Sequence, residues 1–327
     1  MVTPLRVSTW IVDISGWDPD PMEWDNTLNL FSAGIQAKIR SYHHRIDAKR
    51  SLVGKLLVHK IVCSAYSIPW SRIKFSTNSD GKPYLDTELP PDCRFHFNIS
   101  HDGCMVACCF SQELLTQSIK SDQPETRLSR GSSNCINTRQ ESHEIGVDVM
   151  EYKLPRSEKT VEDFRSLLEE HLSPKEKELI GQRTADLNPR DIQEASVLDG
   201  LLQIWTFKES IIKALGCGLR MELCSISLSN LISHPEINLG PLESADATMM
   251  QQGFILPDRS SQLVASFNDQ EDRTWKFWSA VWTGPGADSK YILSAAIKSF
   301  CPQIISSDSP LIHRVTLKTV SELTPFD

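Results

Sequence analysis

The sequence is short of positive charge: 34 Lys and Arg stand against 42 Asp and Glu, a formal net charge of −8. It therefore lacks the basic footprint of a non-specific nucleic-acid binder, and no nucleic-acid partner is expected. It also lacks long apolar runs, none approaching the ~20 residues that a membrane helix requires. The opening Met-Val-Thr-Pro-Leu-Arg-Val has no basic segment with an apolar stretch behind it, so neither a leader nor a membrane partner is expected. The nine cysteines form no C-x-x-C pair, which removes structural zinc and thioredoxin-like readings. Their odd number reads as reduced thiols in a cytoplasmic protein. Missing as well are a G-x-x-x-x-G-K-[ST] loop, a G-x-G-x-x-G after a strand, a G-x-S-x-G elbow and an H-E-x-x-H pair. Triphosphatase, dinucleotide, hydrolase and zinc-protease chemistry thus lack their signatures.

What is present suits a soluble globular chain: 40% hydrophobic residues over 327 positions are enough for two domains or one large one. Residues 6–14 alternate as a strand, and about Asn26 to Tyr66 is helical in two parts, with Leu52, Val53, Leu56, Leu57 and Ile61 at helical spacing. Around the second part lie Lys38, Arg40, Arg45, Lys49, Arg50 and Lys55. That is either a solvated face or an anion site in an otherwise acidic protein. After Ile73–Phe75, a polar Ser-Thr-Asn-Ser-Asp-Gly turn and Lys82–Leu85, two strands are expected at 95–100 and 105–110, with His101-Asp102-Gly103 as a tight turn. Residues 112–143, rich in Ser, Gln, Asn and Arg, read as an inserted surface loop. A strand follows at 145–150, then helices over Val161–His171 and from Ser173-Pro174-Lys175-Glu176, a capping box with Pro at the first helical position. Strand-like stretches recur at 226–228, 254–256, 275–282 and 291–297, and residues past Ser299 read as an irregular surface tail. Both halves pass from helices into paired strands, so a weak duplication with its seam near residue 150 is expected, dividing the chain into lobes 1–150 and 151–327.

The most informative stretch is Trp205 to Leu219. Trp205, Ile212 and Leu215 share one helix face, Glu209 and Lys213 stand one turn apart on another, and Gly216 and Gly218 supply the stop. A Glu–Lys pair at this spacing is most simply a salt bridge worth a few tenths of a kcal/mol. Asp148, a single acid in the apolar strand Ile145–Met150, must be paired, protonated or bound to a metal. Asp148 and Glu209 together would suit a hard cation such as Mg2+, which takes few protein oxygens and shares its remaining positions with water and substrate phosphates. Lys82, His101, Lys213 and the basic helix could hold such phosphates.

Four segments then carry a resemblance. Gly146-Val147-Asp148-Val149 and Trp205-Thr206-Phe207-Lys208-Glu209-Ser210-Ile211-Ile212-Lys213 resemble the two signature motifs of the 4'-phosphopantetheinyl transferases, while Gly81–Leu85 and Phe97–His101 are similar to the two upstream motifs. The match covers about residues 30 to 225 and is nearest to the two-lobed, Sfp-like branch. That resemblance implies an α+β chain of two similar lobes related by pseudo-two-fold symmetry, with the active site between them. It also implies transfer of the phosphopantetheine arm of coenzyme A to a serine of an apo acyl or peptidyl carrier protein, with release of adenosine 3',5'-bisphosphate. By the same resemblance Asp148 and Glu209 would bind Mg2+ with the pyrophosphate, Glu209 would take the serine proton, and Lys213 would hold a phosphate. Lys82, Asn98, Ser100 and His101 would surround the nucleotide, and Lys38 would meet its 3'-phosphate with Arg45 and Arg50 as further candidates. Met150 departs from the pattern, since many members have an acid there. Glu151 would point to the other face of a continuing strand.

The expectation is a monomeric transferase serving fatty-acid, polyketide, nonribosomal-peptide or lysine biosynthesis. Its alternative is a non-catalytic module that binds coenzyme A or carrier proteins; a Mg2+-dependent phosphotransferase using another nucleotide would require the motif match to be accidental.

Overall fold

The computed structural model describes residues 6–91, 93–114, 143–155, 157–185, 190–231, 236–238, 254–256, 258–259, 262–283, 289–300 and 313–325. The expected inserted loop falls almost wholly on 115–142, outside the described residues. The first part of the chain runs β1 (Arg6–Asp13), α1 (Pro21–Leu28), α2 (Ala33–Arg40), α3 (Arg45–Tyr66), β2 (Phe75–Thr77), β3 (Pro83–Leu85), β4 (Cys93–Asp102) and β5 (Met105–Leu114). The second runs β6 (His143–Glu151), α4 (Val161–Leu168), α5 (Pro174–Ala185), α6 (Arg190–Leu215), β7 (Ile226–Ser229), β8 (Glu236–Asn238), β9 (Phe254–Leu256), β10 (Val264–Phe267), β11 (Gln270–Asp272), β12 (Trp275–Thr283), β13 (Lys290–Ser299) and β14 (His313–Lys318). The chain is thus α+β. Among the described residues no helix is long and apolar enough to cross a membrane.

Two sheets dominate, one ordered β4-β5-β1-β14-β9 and the other β6-β13-β12-β8. Strand alternation sorts their side chains onto two faces. On β5, Met105, Ala107 and Cys109 point into one core, which they share with Ile145, Val147 and Val149 of β6 and Leu293 and Ala295 of β13. Val106, Cys108 and Phe110 point the other way, onto Leu52, Leu56 and Leu57 of α3. The far face of the second sheet lies under α6, with Phe207 and Ile211 packed near Phe277 and Ala296. The layers therefore run helix, sheet, sheet, helix. Each such large apolar side chain contributes about 1.5–3 kcal/mol on burial.

Strand order repeats between the two sheets. In the first, β1 pairs antiparallel with β5, and β5 with β4. In the second, β6 pairs antiparallel with β13, and β13 with β12. In each the leading strand is followed by a long helix, α3 or α6, before the hairpin.

Strand pairing does not divide the chain at residue 150. Strand β6 lies wholly in the second sheet along β13, while β14 returns to the first sheet, parallel to β1 and antiparallel to β9. The expected surface tail therefore holds an internal strand, in which His313 and Val315 are fully buried and Arg314 is exposed. Its pairing is with residues some 300 positions away, and no local pattern reports that. The two-part helical reading of 26–66 resolves into three helices, and α6 begins at Arg190 rather than at Trp205. Helix α5 does open on its capping box, Ser173 N–H donating to Glu176 Oε2 (2.8 Å) and Glu176 N–H to Ser173 Oγ (3.3 Å).

The two sheets also meet edge to edge. Asn98 Oδ1 accepts from Val147 N–H (3.0 Å), Ser100 Oγ from Val149 N–H (3.2 Å) and Asp102 Oδ2 from Glu151 N–H (2.8 Å). Every second side chain of β4 thus satisfies every second backbone donor on the open edge of β6. These buried N–H groups would otherwise be costly orphans.

Candidate active site

Asp148 lies in the middle of β6, on the face opposite Val147 and Val149, and so looks onto α6. What lets the helix come close is Gly146, two residues earlier on the same face. A Cβ there would lie 1.9 Å from the Ser210 carbonyl oxygen and 2.5 Å from Ala214 N. Thr206 helps to fix the helix, its hydroxyl 2.8 Å from Ser294 Oγ on β13 and 2.9 Å from the Leu202 carbonyl.

With the helix seated, Lys213 reaches the strand. Its ammonium donates to Asp148 Oδ1 at 2.5 Å and to Ser100 Oγ at 2.9 Å, and the Ser100 hydroxyl donates to the same Asp148 oxygen at 2.8 Å. Ser100 thereby uses its single proton on the carboxylate and its lone pairs on Lys213 and Val149 N–H, the full capacity of a hydroxyl. Asp148 is only 7% exposed, so a charge there needs these partners.

Glu209 stands one turn before Lys213. Burial pushes its carboxyl above the usual range, the Asp148 charge adds to this, and Lys213 opposes it. The two carboxylates therefore feel each other, and the charge of Lys213 acts on both. Hard oxygen donors converging in this way fit Mg2+. Among the described residues no group of three or more His, Cys, Asp and Glu could hold a metal ion, so water and substrate oxygens would have to supply the remaining positions. Met150 packs beside Tyr152 and Leu154 in the core under α4, and Glu151 pairs with Lys153 at 2.6 Å.

Glu209 and Lys213 open onto a cleft of about 680 Å3. One side is formed by Asp80–Pro83 and Asn98, the floor by α6 down to Gly216, and the far wall by Glu170, His171 and Met221–Cys224. Lys82 lies across the end of α6, its ammonium donating to the Ala214 carbonyl. Its stem covers Gly216, where a Cβ would sit 2.8 Å from Lys82 Cδ and where φ is +67°; a side chain is excluded there on both counts. Trp205 meets His171 of the wall edge to face at 5.8 Å.

The other expected anion ligands are distributed less simply. His101, exposed one residue before the end of β4, has its imidazole held below the usual range by partial desolvation and then by the positive charges of Arg50 and Lys213. Arg50 donates to the Gly103 carbonyl from Nε (2.8 Å) and Nη2 (2.5 Å) and to Asp47 from Nη1 (2.9 Å). It therefore clamps the β4–β5 turn onto α3. Arg45 donates to the Pro19 carbonyl (2.9 Å) and covers the Trp24 ring at 4.9 Å. Lys38 is exposed on α2, near enough to Lys55 to add to the lowering of its pKa that burial causes. None of Lys38, Arg45 and Arg50 lines the cleft. Sequence reasoning missed the far wall altogether, as well as the tie of Asn98 and Ser100 to β6. The polar alternation Asn98, Ser100, Asp102 within an apolar strand was the available signal for the second.

Comparison with known proteins matches two segments of the chain. Residues 15–113 match the family described as 4'-phosphopantetheinyl transferase, N-terminal, and residues 144–248 match the 4'-phosphopantetheinyl transferase superfamily. The chain is 27% identical to the L-aminoadipate-semialdehyde dehydrogenase-phosphopantetheinyl transferase of Rattus norvegicus, over 65% of this chain and 57% of that protein. It is 29% identical to the 4'-phosphopantetheinyl transferase pptA of Paxillus involutus, over 62% of this chain and 66% of that one. To the 4'-phosphopantetheinyl transferase Sfp of Bacillus subtilis it is also 29% identical, over 63% and 69%. The chain thus spans less than two thirds of the length of the rat protein.

Proposed function

The chain belongs to the 4'-phosphopantetheinyl transferase superfamily, and from this we propose that it moves the phosphopantetheine arm of coenzyme A onto a serine of an apo carrier protein. The observation that carries the reading is the contact of Asp148 with Lys213 at 2.5 Å, Lys213 lining the cleft together with Glu209 one turn away. These three side chains lie in the two segments that resemble the family's signature motifs, within the matched residues 144–248.

In this reading the carrier serine oxygen attacks the pyrophosphate phosphorus that bears the pantetheine arm. A new P–O bond forms, and the bond to the bridging oxygen breaks with its electron pair on adenosine 3',5'-bisphosphate. The serine proton goes to Glu209, directly or through a water. Asp148 and Glu209 would hold Mg2+, whose charge neutralises the pyrophosphate. Lys213 would pass from Asp148 to a phosphate oxygen, one lysine serving both anions through a flexible stem.

Lys82, Asn98, Ser100 and His101 would take the nucleotide, and Lys38 is the remaining candidate for its 3'-phosphate, since Arg45 is engaged by the Pro19 carbonyl and Arg50 by the Gly103 carbonyl and Asp47. The repeated order β1-β5-β4 and β6-β13-β12 supports two pseudo-symmetric lobes with the active site where β4 meets β6. Carrier domains of fatty-acid, polyketide and nonribosomal-peptide synthases and of the aminoadipate reductase are the candidate acceptors.

Incubation with an apo carrier domain, coenzyme A and Mg2+, followed by mass spectrometry, tests this directly. A phosphopantetheine adduct on serine is expected. Its absence across several carrier types, with coenzyme A still bound, would favour the non-catalytic module instead.

A further inference from the structure

Lys208 stands next to Glu209 in the motif, yet nothing in the chemistry above uses it. Its side chain is 1% exposed and that of its partner Glu176 0%. An ammonium has three protons to donate, and Lys208 spends one on each of three acceptors: Glu176 Oε2 at 2.5 Å, the His171 carbonyl at 2.8 Å and the Leu223 carbonyl at 3.0 Å. Glu176 is held in turn by the N–H groups of Ser173 (2.8 Å) and Leu228 (2.9 Å).

The two carbonyls belong to separate short turns, Glu169–His171 and Leu223–Ser225, which form the far wall of the cleft. Neither turn lies in a sheet or a long helix. Lys208 and Glu209 are about 100° apart around α6, so one turn of helix faces the interior through the lysine and the cleft through the acid. A buried ion pair of this kind is seldom more stable than a well-packed apolar pair of similar volume. Stability alone therefore does not account for it, whereas its geometry ties two cleft segments to one helical turn.

We propose that Lys208 is a positioning residue that pins both turns of the cleft wall, at His171 and Leu223, to the turn of α6 that carries Glu209, and so sets the width of the cleft in which the reactants are held. This rests on the transferase reading. The opposite side of the cleft, with Lys82 and Asn98, hangs from other elements and does not depend on the pin.

The test is Lys208→Met combined with Glu176→Gln, which removes both charges and leaves no lone buried ion. Amide exchange over 169–172 and 222–225 should accelerate at least about tenfold. Transfer efficiency should fall about tenfold through a higher KM for the reactants, with kcat and the calorimetric affinity for adenosine 3',5'-bisphosphate within about twofold of the parent. Unchanged exchange in both turns, or a fall in kcat at unchanged KM, overturns the proposal. If the double variant does not fold, exchange in the unaltered protein decides. Both turns should then exchange more slowly than the exposed 78–81 turn, and equal rates would overturn the pin. Exchange and bisphosphate binding need no turnover. A protein that modified no carrier would thus sink the transferase reading while leaving this inference separately tested.

Discussion

The ammonium of Lys213 lies 2.5 Å from Asp148 Oδ1, across 65 residues of sequence, and Ser100 bonds to both. A buried carboxylate on a strand and a lysine on a helix are thus joined into one charged unit. Any divalent cation that takes this Asp148 oxygen competes with Lys213 for it, so cation binding and release of the lysine toward an anion are coupled.

Removing the lysine should make the competition visible. Lys213→Met leaves Asp148 without its cation, and breaking a pair of this burial costs about 2–4 kcal/mol. Without added divalent ion the variant should melt lower than the parent, and millimolar Mg2+ should restore a larger share of its stability than of the parent's. Mn2+ binding followed by electron paramagnetic resonance should tighten. Equal Mg2+ shifts in the two proteins would rule out the competition.

The approach of α6 to β6 rests on one missing side chain. Gly146→Ala would place a methyl 1.9 Å from a backbone oxygen and 2.5 Å from a backbone nitrogen, and neither can rotate away. The variant should lose about 3 kcal/mol or more in urea unfolding. Transfer should fall further than stability alone explains, because Lys213 is carried away from Asp148. Gly181 on α5 is the control. A Cβ there meets nothing within 4 Å, so Gly181→Ala should gain about 0.5–1 kcal/mol.

Three buried histidines, His59, His143 and His313, and the half-buried His96 should make the fold sensitive to mild acid. Burial pushes His59 and His96 each down to about 4, His313 to about 3 and His143 well below the usual range. Between these values and about 6.5 the unfolded chain binds protons that the folded one refuses, so stability is full above about pH 6.5 and is lost as the pH falls toward 4. For His59, a shift from 6.5 to about 4 is worth about 3 kcal/mol over the full titration. Unfolding free energies measured from pH 7 to pH 5 should decline steeply, and His59→Phe, in a pocket of aromatic rings (Phe31, Trp70, Phe75), should flatten that decline. A flat profile in the parent would contradict the assignment.

Local chemistry made part of this site legible in the sequence. Glu209 and Lys213 announced themselves by helical spacing, Asp148 by being the one acid in an apolar strand, and Gly216 by its place after the last helical residue. The features that were not legible all depend on distant partners. Strand β14 is specified by its pairing with β1, and Lys208 by acceptors on two turns remote from it in sequence. By charge alone Arg50 reads as one more cation for a phosphate, but the Gly103 carbonyl occupies it. Charge and spacing identify which residues could meet a ligand, but tertiary contacts decide which are already engaged.

The seam between β4 and β6 separates structural from chemical roles on a single strand. Asp102→Ala removes one tie, to Glu151 N–H, and leaves a half-buried donor without its carboxylate, at a cost of about 1 kcal/mol; kcat/KM should be unchanged at temperatures well below melting. Ser100→Ala removes an equivalent tie, to Val149 N–H, and costs a similar amount, but it also takes the hydroxyl from between Asp148 and Lys213. Transfer should then fall at least about tenfold beyond the Asp102 variant. In a double-mutant cycle Ser100→Ala and Lys213→Met should be non-additive in transfer by more than about 0.5 kcal/mol, the mark of groups acting in one network. Additivity within error, or equal losses of transfer from the Asp102 and Ser100 variants, would mean that Ser100 only stitches the sheets together.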